Sequence, residues 1–267
     1  MGERKVTILD FKNKKERGEK ITMLTAYDCP MAVILDTAGI DAVLVGDSLG
    51  MVLLGYDSTV CVTMDEMIHH ARAVRKGVKR AFLIGDMPFM SYQASDEDAV
   101  RNAGRFVQEA GCEAVKVEGG REILPRIKAI INAGIPVVGH IGLTPQNASK
   151  LGGYRVQGRD AASSEKIIED AVLLEDAGCF SVILECVPSG LASTVTGRVK
   201  IPVIGIGAGG GCDGQVLVTA DLTGYFVKYT PKFVKRYAEV NKIILEAVKS
   251  FKQETESGDF PGDEYSF

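Results

Sequence analysis

Hydrophobic and polar positions along the chain repeat a single unit: an apolar helical stripe, a small residue followed by Gly, then a short β-branched run. Thr37-Ala38-Gly39 leads into residues 41–45, Glu109-Ala110-Gly111 into 113–117, Asn132-Ala133-Gly134 into 135–138, and Asp176-Ala177-Gly178 into 180–184. A Gly in this position ends a helix by taking the left-handed conformation. The runs that follow are apolar at consecutive positions, as strands buried on both faces are. Further runs at 21–25, 81–84, 202–206 and 215–218 bring the count to about eight, the number a closed β/α barrel needs.

The intervening helices carry their own signals. Ser95 is placed to cap a helix with the stripe Ala99, Ala103, Phe106, Val107 and Ala110. Thr63 and Glu66 have the spacing of a capping box before Met67, Ile68 and Ala71. Ser163 is expected to open a helix with Ile167, Ile168, Ala171, Val172 and Leu174. Two segments break the rhythm. Residues 144–163 form a long polar stretch with Gly152, Gly153 and Gly158, and such loops in compact domains are usually functional or mobile. After Thr230 a helical pattern runs through Phe233, Val234, Tyr237, Ile243, Ile244, Ala247 and Val248, and residues 254–267 read as frayed or draped over a neighbour. The expectation is a (β/α)₈ TIM barrel, one domain over 1–267, with 231–267 a C-terminal helix and tail. A doubly wound open sheet is the alternative.

Composition narrows the function. The 267 residues carry a formal net charge of -4, with no basic surplus to attract nucleic acid. No apolar run reaches membrane-span length, and the Lys- and Glu-rich first twenty residues have no apolar core of a secretory signal. Six cysteines, none in a C-x-x-C pair, fit a reducing compartment. A cytoplasmic enzyme acting on small molecules is expected.

The ends of the runs suggest its chemistry. Val45-Gly46-Asp47-Ser48, Ile84-Gly85-Asp86, Val115-Lys116-Val117-Glu118, Val138-Gly139-His140 and Ile183-Leu184-Glu185 end five successive strands. In a parallel barrel these ends share one mouth, where barrel enzymes place their sites. Crowded carboxylates repel unless a cation joins them. Asp47, Asp86 and Glu118 could share one hard ion, and all-oxygen ligation favours Mg²⁺ over Zn²⁺. A 2-oxo acid could chelate such an ion through its carboxylate and keto oxygens. Each of these residues also has a plainer reading. A strand-end Asp can cap the next helix, Lys116 can point outward among helices rather than anchor a substrate, and His140 can be a satisfied core histidine. Glu185 can be a helix-start acid rather than a general base. Gly205-Ile206-Gly207-Ala208-Gly209-Gly210 matches G-x-G-x-x-G after a strand. It falls too late for a full dinucleotide-binding domain, and a tight barrel turn explains it equally well.

Longer stretches carry a family resemblance. They are Thr25-Ala26-Tyr27-Asp28, Val45-Gly46-Asp47-Ser48-Leu49-Gly50, Gly55-Tyr56-Asp57-Ser58-Thr59, Asp86-Met87-Pro88-Phe89, Lys116-Val117-Glu118-Gly119-Gly120 and Gly139-His140-Ile141-Gly142-Leu143-Thr144-Pro145-Gln146. Gly152-Gly153-Tyr154, Leu184-Glu185-Cys186-Val187-Pro188 and Ile204-Gly205-Ile206-Gly207-Ala208-Gly209 complete them. Together the chain resembles the ketopantoate hydroxymethyltransferase (3-methyl-2-oxobutanoate hydroxymethyltransferase) family of pantothenate biosynthesis. Gly210-Gly211-Cys212 departs from the commoner residues before Asp213, which bears on the neighbouring folate contacts. The resemblance implies a barrel with Mg²⁺ held by Asp47 and Asp86, with Glu118 nearby. It implies that Asp47, Ser48, Asp86, Lys116 and His140 line the 3-methyl-2-oxobutanoate site, that Glu185 is the base, and that 5,10-methylenetetrahydrofolate donates the one-carbon unit to give 2-dehydropantoate. It also implies a homodecamer, a pentamer of dimers. The rival readings are a Mg²⁺-dependent 2-oxo-acid lyase or ligase of the phosphoenolpyruvate mutase and isocitrate lyase type, and a non-catalytic barrel that binds a phosphorylated metabolite.

Overall fold

In the computed structural model, which describes residues 4–267, eight parallel strands close into a barrel in chain order. They are β1 (Ile21–Thr25), β2 (Ala42–Val45), β3 (Phe82–Asp86), β4 (Ala114–Glu118), β5 (Val137–Gly142), β6 (Ser181–Glu185), β7 (Val203–Ile206) and β8 (Gly214–Leu217). β8 pairs back onto β1 with Ile21 opposite Gly214, so the sheet has no open edge and the doubly wound alternative falls away. Each of the eight expected runs is a strand. The helix-ending glycines behave as expected: Gly39 (φ 76°) and Gly178 (φ 99°) take conformations that a side chain would resist.

Two apolar layers follow from the strand period. Met23, Leu44, Ile84, Ala114, Val138 and Ile183 share the barrel lumen. Their odd-phase neighbours Val43, Leu83, Val115, Val182 and Val203 pack outward in the layer that includes the helices. The lower lumen is closed by a helix, Ile8–Arg17, inside the charged N-terminal stretch, where charge pattern alone gave no sign of one. Its Phe11 is fully buried and meets Phe82 and Phe180 edge-on at 5.6 and 5.5 Å. Burying that ring stabilises the fold by roughly 2–3 kcal/mol.

Helix starts match in two cases and shift in a third. Ser95 accepts the Asp98 N–H at 3.0 Å, and Thr63 and Glu66 form a capping box. The helix expected from Ser163 instead spans Ala161–Asp176, because Asp160 is the cap and Ser163 completes its capping box from the third position. Between β7 and β8 there is no helix; residues 207–213 make the connection.

The chain divides into two compact units at Leu217 and Val218. The whole barrel lies in the first. In the second, the helix expected to include Phe233, Val234 and Tyr237 begins only at Val240 and runs to Ser257. The preceding backbone is engaged elsewhere: the Tyr237 N–H donates to the Leu222 carbonyl at 2.8 Å. Beyond the helix the chain is not frayed, since Phe260 packs on Phe251 at 5.5 Å and on Tyr265 at 5.9 Å. Among the described residues no helix is long and apolar enough to cross a membrane.

Candidate active site

The lumen phase of each strand continues into the chemistry. Phe82 and Ile84 are followed in phase by Asp86, Ala114 by Lys116 and Glu118, Val138 by His140, and Ile183 by Glu185. Lys116 is therefore out of step with Val115 and Val117 because it shares the inward face, and it is buried. Asp47 reaches the same mouth from the turn after β2. Its backbone N–H donates to Asp86 Oδ2 at 3.0 Å. Ser48 follows, half-buried, with its Oγ 2.8 Å from the Tyr27 hydroxyl.

These groups form one network. The Lys116 ammonium lies 2.7 Å from Asp86 Oδ1, 3.5 Å from Glu118 Oε1 and 3.2 Å from His140 Nδ1. His140 faces Glu118 Oε1 with Nδ1 at 3.3 Å and Glu185 Oε2 with Nε2 at 3.2 Å. Asp47, Asp86 and Glu118 are buried, while Glu185 is partly open.

Burial and mutual repulsion set the charges. Burial, then the Asp86 and Glu118 charges, push the Asp47 carboxyl well above its ordinary range, against the pull of Lys116 and a hydrogen bond from Gln146. Burial also raises Asp86, with Lys116 opposing it and Glu118 adding to it. Glu118 goes the other way: burial is outweighed by Lys116 and His140, and it is lowered. Lys116 is raised, because Asp86, Glu118 and Asp47 outweigh its burial. For His140, burial and the Lys116 charge favour the neutral ring, but Glu118 and Glu185 prevail and lift it to about 9. The two carboxylates thus favour the protonated ring, while the Lys116 ammonium opposes it.

The donor set suits a hard divalent ion in a specific way. Asp86 Oδ1 and Glu118 Oε1 are buried and accept no hydrogen bond of good geometry. Four carboxylates share the mouth with Lys116 and His140, and burial together with the neighbouring carboxylates raises two of them. No three His, Cys, Asp or Glu side chains among the described residues converge in metal-ligand geometry. Mg²⁺ needs less, since it commonly takes one or two carboxylates and fills its remaining positions with water and substrate.

Three residues at the mouth had no role assigned from sequence. Gln146 donates from Nε2 to Asp47 Oδ2 and to the Met87 carbonyl, both at 2.9 Å. Tyr92, fully buried, puts its hydroxyl 3.0 Å from both the N–H and the carbonyl of Glu118. Tyr154, on the 144–163 stretch, lies with its hydroxyl 3.7 Å from Met51 Sδ. Burial and the charges of Asp47, Glu185 and Glu118 raise its phenol. Gln146 had a signal, as part of a quoted motif at the start of the long polar stretch. Tyr92 had none, since an aromatic between Ser91 and Gln93 reads as loop.

The glycine-rich turn after β7 is explained by packing. A Cβ on Gly209 would stand 2.6 Å from Ser189 Cβ, and one on Gly211 would stand 2.2 Å from Ser193 Oγ. The turn lies flat on the helix Ser189–Arg198, and the closed barrel removes the dinucleotide-fold reading.

A family model described as ketopantoate hydroxymethyltransferase matches residues 5–263. The chain belongs to the ketopantoate hydroxymethyltransferase family. It is 56% identical over 264 residues to the 3-methyl-2-oxobutanoate hydroxymethyltransferase of Syntrophus aciditrophicus (strain SB), covering 99% of this chain and 97% of the relative. The protein of the same name from Acetivibrio thermocellus is 56% identical over 98% of this chain and 93% of its own. Members of the ketopantoate hydroxymethyltransferase family are enzymes of the transferase class, and so is this chain. In fold it is similar to phosphonopyruvate hydrolase, solved in complex with oxalate and Mg²⁺ (TM-score 0.63, 12% identity, 97% of this chain and 93% of that one). Phosphoenolpyruvate phosphomutase from Streptomyces platensis subsp. rosaceus has the same fold (TM-score 0.62, 14% identity, 94% and 88%). At such identities the likeness is one of fold.

Proposed function

We propose that this hydroxymethyltransferase converts 3-methyl-2-oxobutanoate to 2-dehydropantoate, a step of pantothenate and coenzyme A biosynthesis. The carbon comes from 5,10-methylenetetrahydrofolate, water supplies the hydroxyl oxygen, and tetrahydrofolate leaves. The observation that carries the reading is the inward-facing set Asp86, Lys116, Glu118, His140 and Glu185 on five neighbouring strand ends and turns with Asp47, in a chain 56% identical to relatives named for this activity.

Within that reading, Asp47 and Asp86 would hold Mg²⁺, with Glu118 reaching it through water. When bound, the ion supplies Lewis acidity to the keto oxygen of the substrate. Ser48 and the Lys116 ammonium bind and orient the 2-oxo acid. Glu185, the partly open carboxylate, takes the C3 proton. The His140 imidazolium holds it in place from 3.2 Å away. The resulting C3 nucleophile attacks the one-carbon unit delivered from the open side of the mouth, under Tyr154.

We infer a homodecamer, a pentamer of dimers, for the assembled enzyme. In the unit 218–267, Ile243, Leu245, Val248 and Phe251 remain more than half exposed on one helix, a surface suited to self-association. Six unpaired thiols are compatible with the cytoplasm. The test of the reaction is direct. Purified enzyme with Mg²⁺, 3-methyl-2-oxobutanoate and 5,10-methylenetetrahydrofolate should form 2-dehydropantoate, detected by mass; no product would overturn the assignment.

A further inference from the structure

Three carboxylates of the mouth share a pattern. Each has one oxygen tied to a fixed protein donor: Asp86 Oδ2 to the Asp47 N–H, Glu118 Oε2 to the Gln146 N–H at 3.0 Å, and Asp47 Oδ2 to Gln146 Nε2 at 2.9 Å. In each the other oxygen points into the mouth, where Asp86 Oδ1 and Glu118 Oε1 face the Lys116 ammonium. Two of the three ties come from Gln146, one from its backbone and one from its side chain. Gln146 is buried, in the short turn Pro145–Asn147 that follows β5. It thereby brackets a carboxylate from the turn after β2 and one from β4.

The orientation of its carboxamide is fixed by chemistry. On the nitrogen side the Met87 carbonyl can only accept, and so can Asp47 whenever it is ionised. A flipped amide would set oxygen against two oxygens. On the other side, Gln146 Oε1 accepts from Gln93 Nε2 at 3.2 Å and lies 3.1 Å from the Tyr92 hydroxyl, whose one proton it shares with the Glu118 carbonyl. The side chain is held at both ends and cannot turn away from Asp47.

We propose that Gln146 is a positioning residue: by pinning Asp47 Oδ2 and Glu118 Oε2 it presents Asp47 Oδ1 and Glu118 Oε1 to the metal and the 2-oxo acid. The inference rests on the reading of the mouth as a Mg²⁺ and oxo-acid site, and it adds a residue that touches neither. Groups that orient metal-binding carboxylates from behind are worth about 10–100-fold in metal affinity.

The experiment uses Mn²⁺ as a paramagnetic stand-in for Mg²⁺, titrated into the full chain and followed by electron paramagnetic resonance, alongside thermal melting. Wild type comes first. If it binds no Mn²⁺, the metal-site reading itself fails, and that outcome is separate from any result on Gln146. If it binds, Gln146→Leu keeps the apolar bulk and removes the donor. The Mn²⁺ Kd should rise at least about tenfold. Tyr92→Phe is the milder second variant: it removes the hydroxyl that braces both the Gln146 carboxamide and the Glu118 backbone, and its Kd should rise by a smaller factor. Wild-type Mn²⁺ affinity in Gln146→Leu, or in Tyr92→Phe should Gln146→Leu not fold, would overturn the proposal, however far the melting temperature falls. Gln146→Glu sharpens the contrast. It keeps length and an acceptor for Tyr92, but sets a second carboxylate against Asp47, and Mn²⁺ binding should not recover.

Discussion

His140 Nε2 faces Glu185 Oε2 at 3.2 Å, and through this contact the one partly open carboxylate of the mouth is joined to the buried cluster of Lys116, Asp86 and Glu118. The contact is electrostatic, without hydrogen-bond geometry, and leaves Glu185 able to act as a base. The same contact makes His140 a poor base in its own right, since the two carboxylates beside it lift its pKa to about 9.

Metal binding should stabilise the protein in a pH-dependent way. Asp47 and Asp86 are raised above the ordinary carboxylate range, so the metal-free fold retains protons there that the unfolded chain has lost. Its stability therefore declines as pH rises past the unfolded carboxylate pKa. Mg²⁺ must displace those protons, so its stabilising effect should grow from mildly acidic to mildly alkaline pH. Differential scanning fluorimetry with and without Mg²⁺ checks this. Asp47→Ala and Asp86→Ala should stay folded, show no Mg²⁺-dependent shift and lose turnover; a normal shift in either would remove that residue from the metal site.

Lys116 is expected to matter for both substrate and stability. From sequence alone, removing its charge would cost affinity and little else. In the structure it is a buried cation facing Asp86 and Glu118. Lys116→Met leaves these charges without their partner, and breaking such a buried pair costs about 3–5 kcal/mol. The metal-free variant should melt well below wild type, and saturating Mg²⁺ should recover part of the loss. An unchanged melting temperature would show that the ion pairs contribute nothing.

The unit 218–267 has a pH signature of its own. Burial raises Asp221 to about 6, with Arg236 pulling against it. A carboxyl with a raised folded pKa favours the fold while protonated, so this contribution is lost as pH rises from the ordinary carboxylate range through about 6. Asp221→Asn should remove that loss and raise the melting temperature above pH 6 but not well below it. Equal effects at both ends of the range would rule the linkage out.

Most of the barrel was legible because four of its strands follow a helix-ending Gly and all eight are short, largely apolar runs. Most of the site was legible for a related reason: Asp86, Glu118, His140 and Glu185 are the polar residues on which inward-facing apolar phases end. Lys116 needed the phase itself, since Ala114 is the small apolar residue that shows it faces inward. What stayed hidden depends on contacts distant in sequence. Gln146 meets Asp47 from 99 residues away in the chain, and Tyr92 meets Glu118 from 26. The helix of Phe11 was masked because one buried ring among lysines and glutamates leaves no periodic stripe. At Ser163 the pattern was right and the cap wrong, since Asp160 competes for the same role three residues earlier.

The most direct test of the account is proton exchange at C3 of 3-methyl-2-oxobutanoate in D₂O, followed by loss of the C3 proton signal in NMR, without folate. Wild type with Mg²⁺ should exchange, and wild type without it should be much slower. Glu185→Gln keeps size and hydrogen bonding but cannot take the proton. It should bind the oxo acid and Mg²⁺ normally and exchange about 10²–10⁴-fold more slowly. Exchange at the wild-type rate in Glu185→Gln would contradict the account and return the role of base to another group at the mouth.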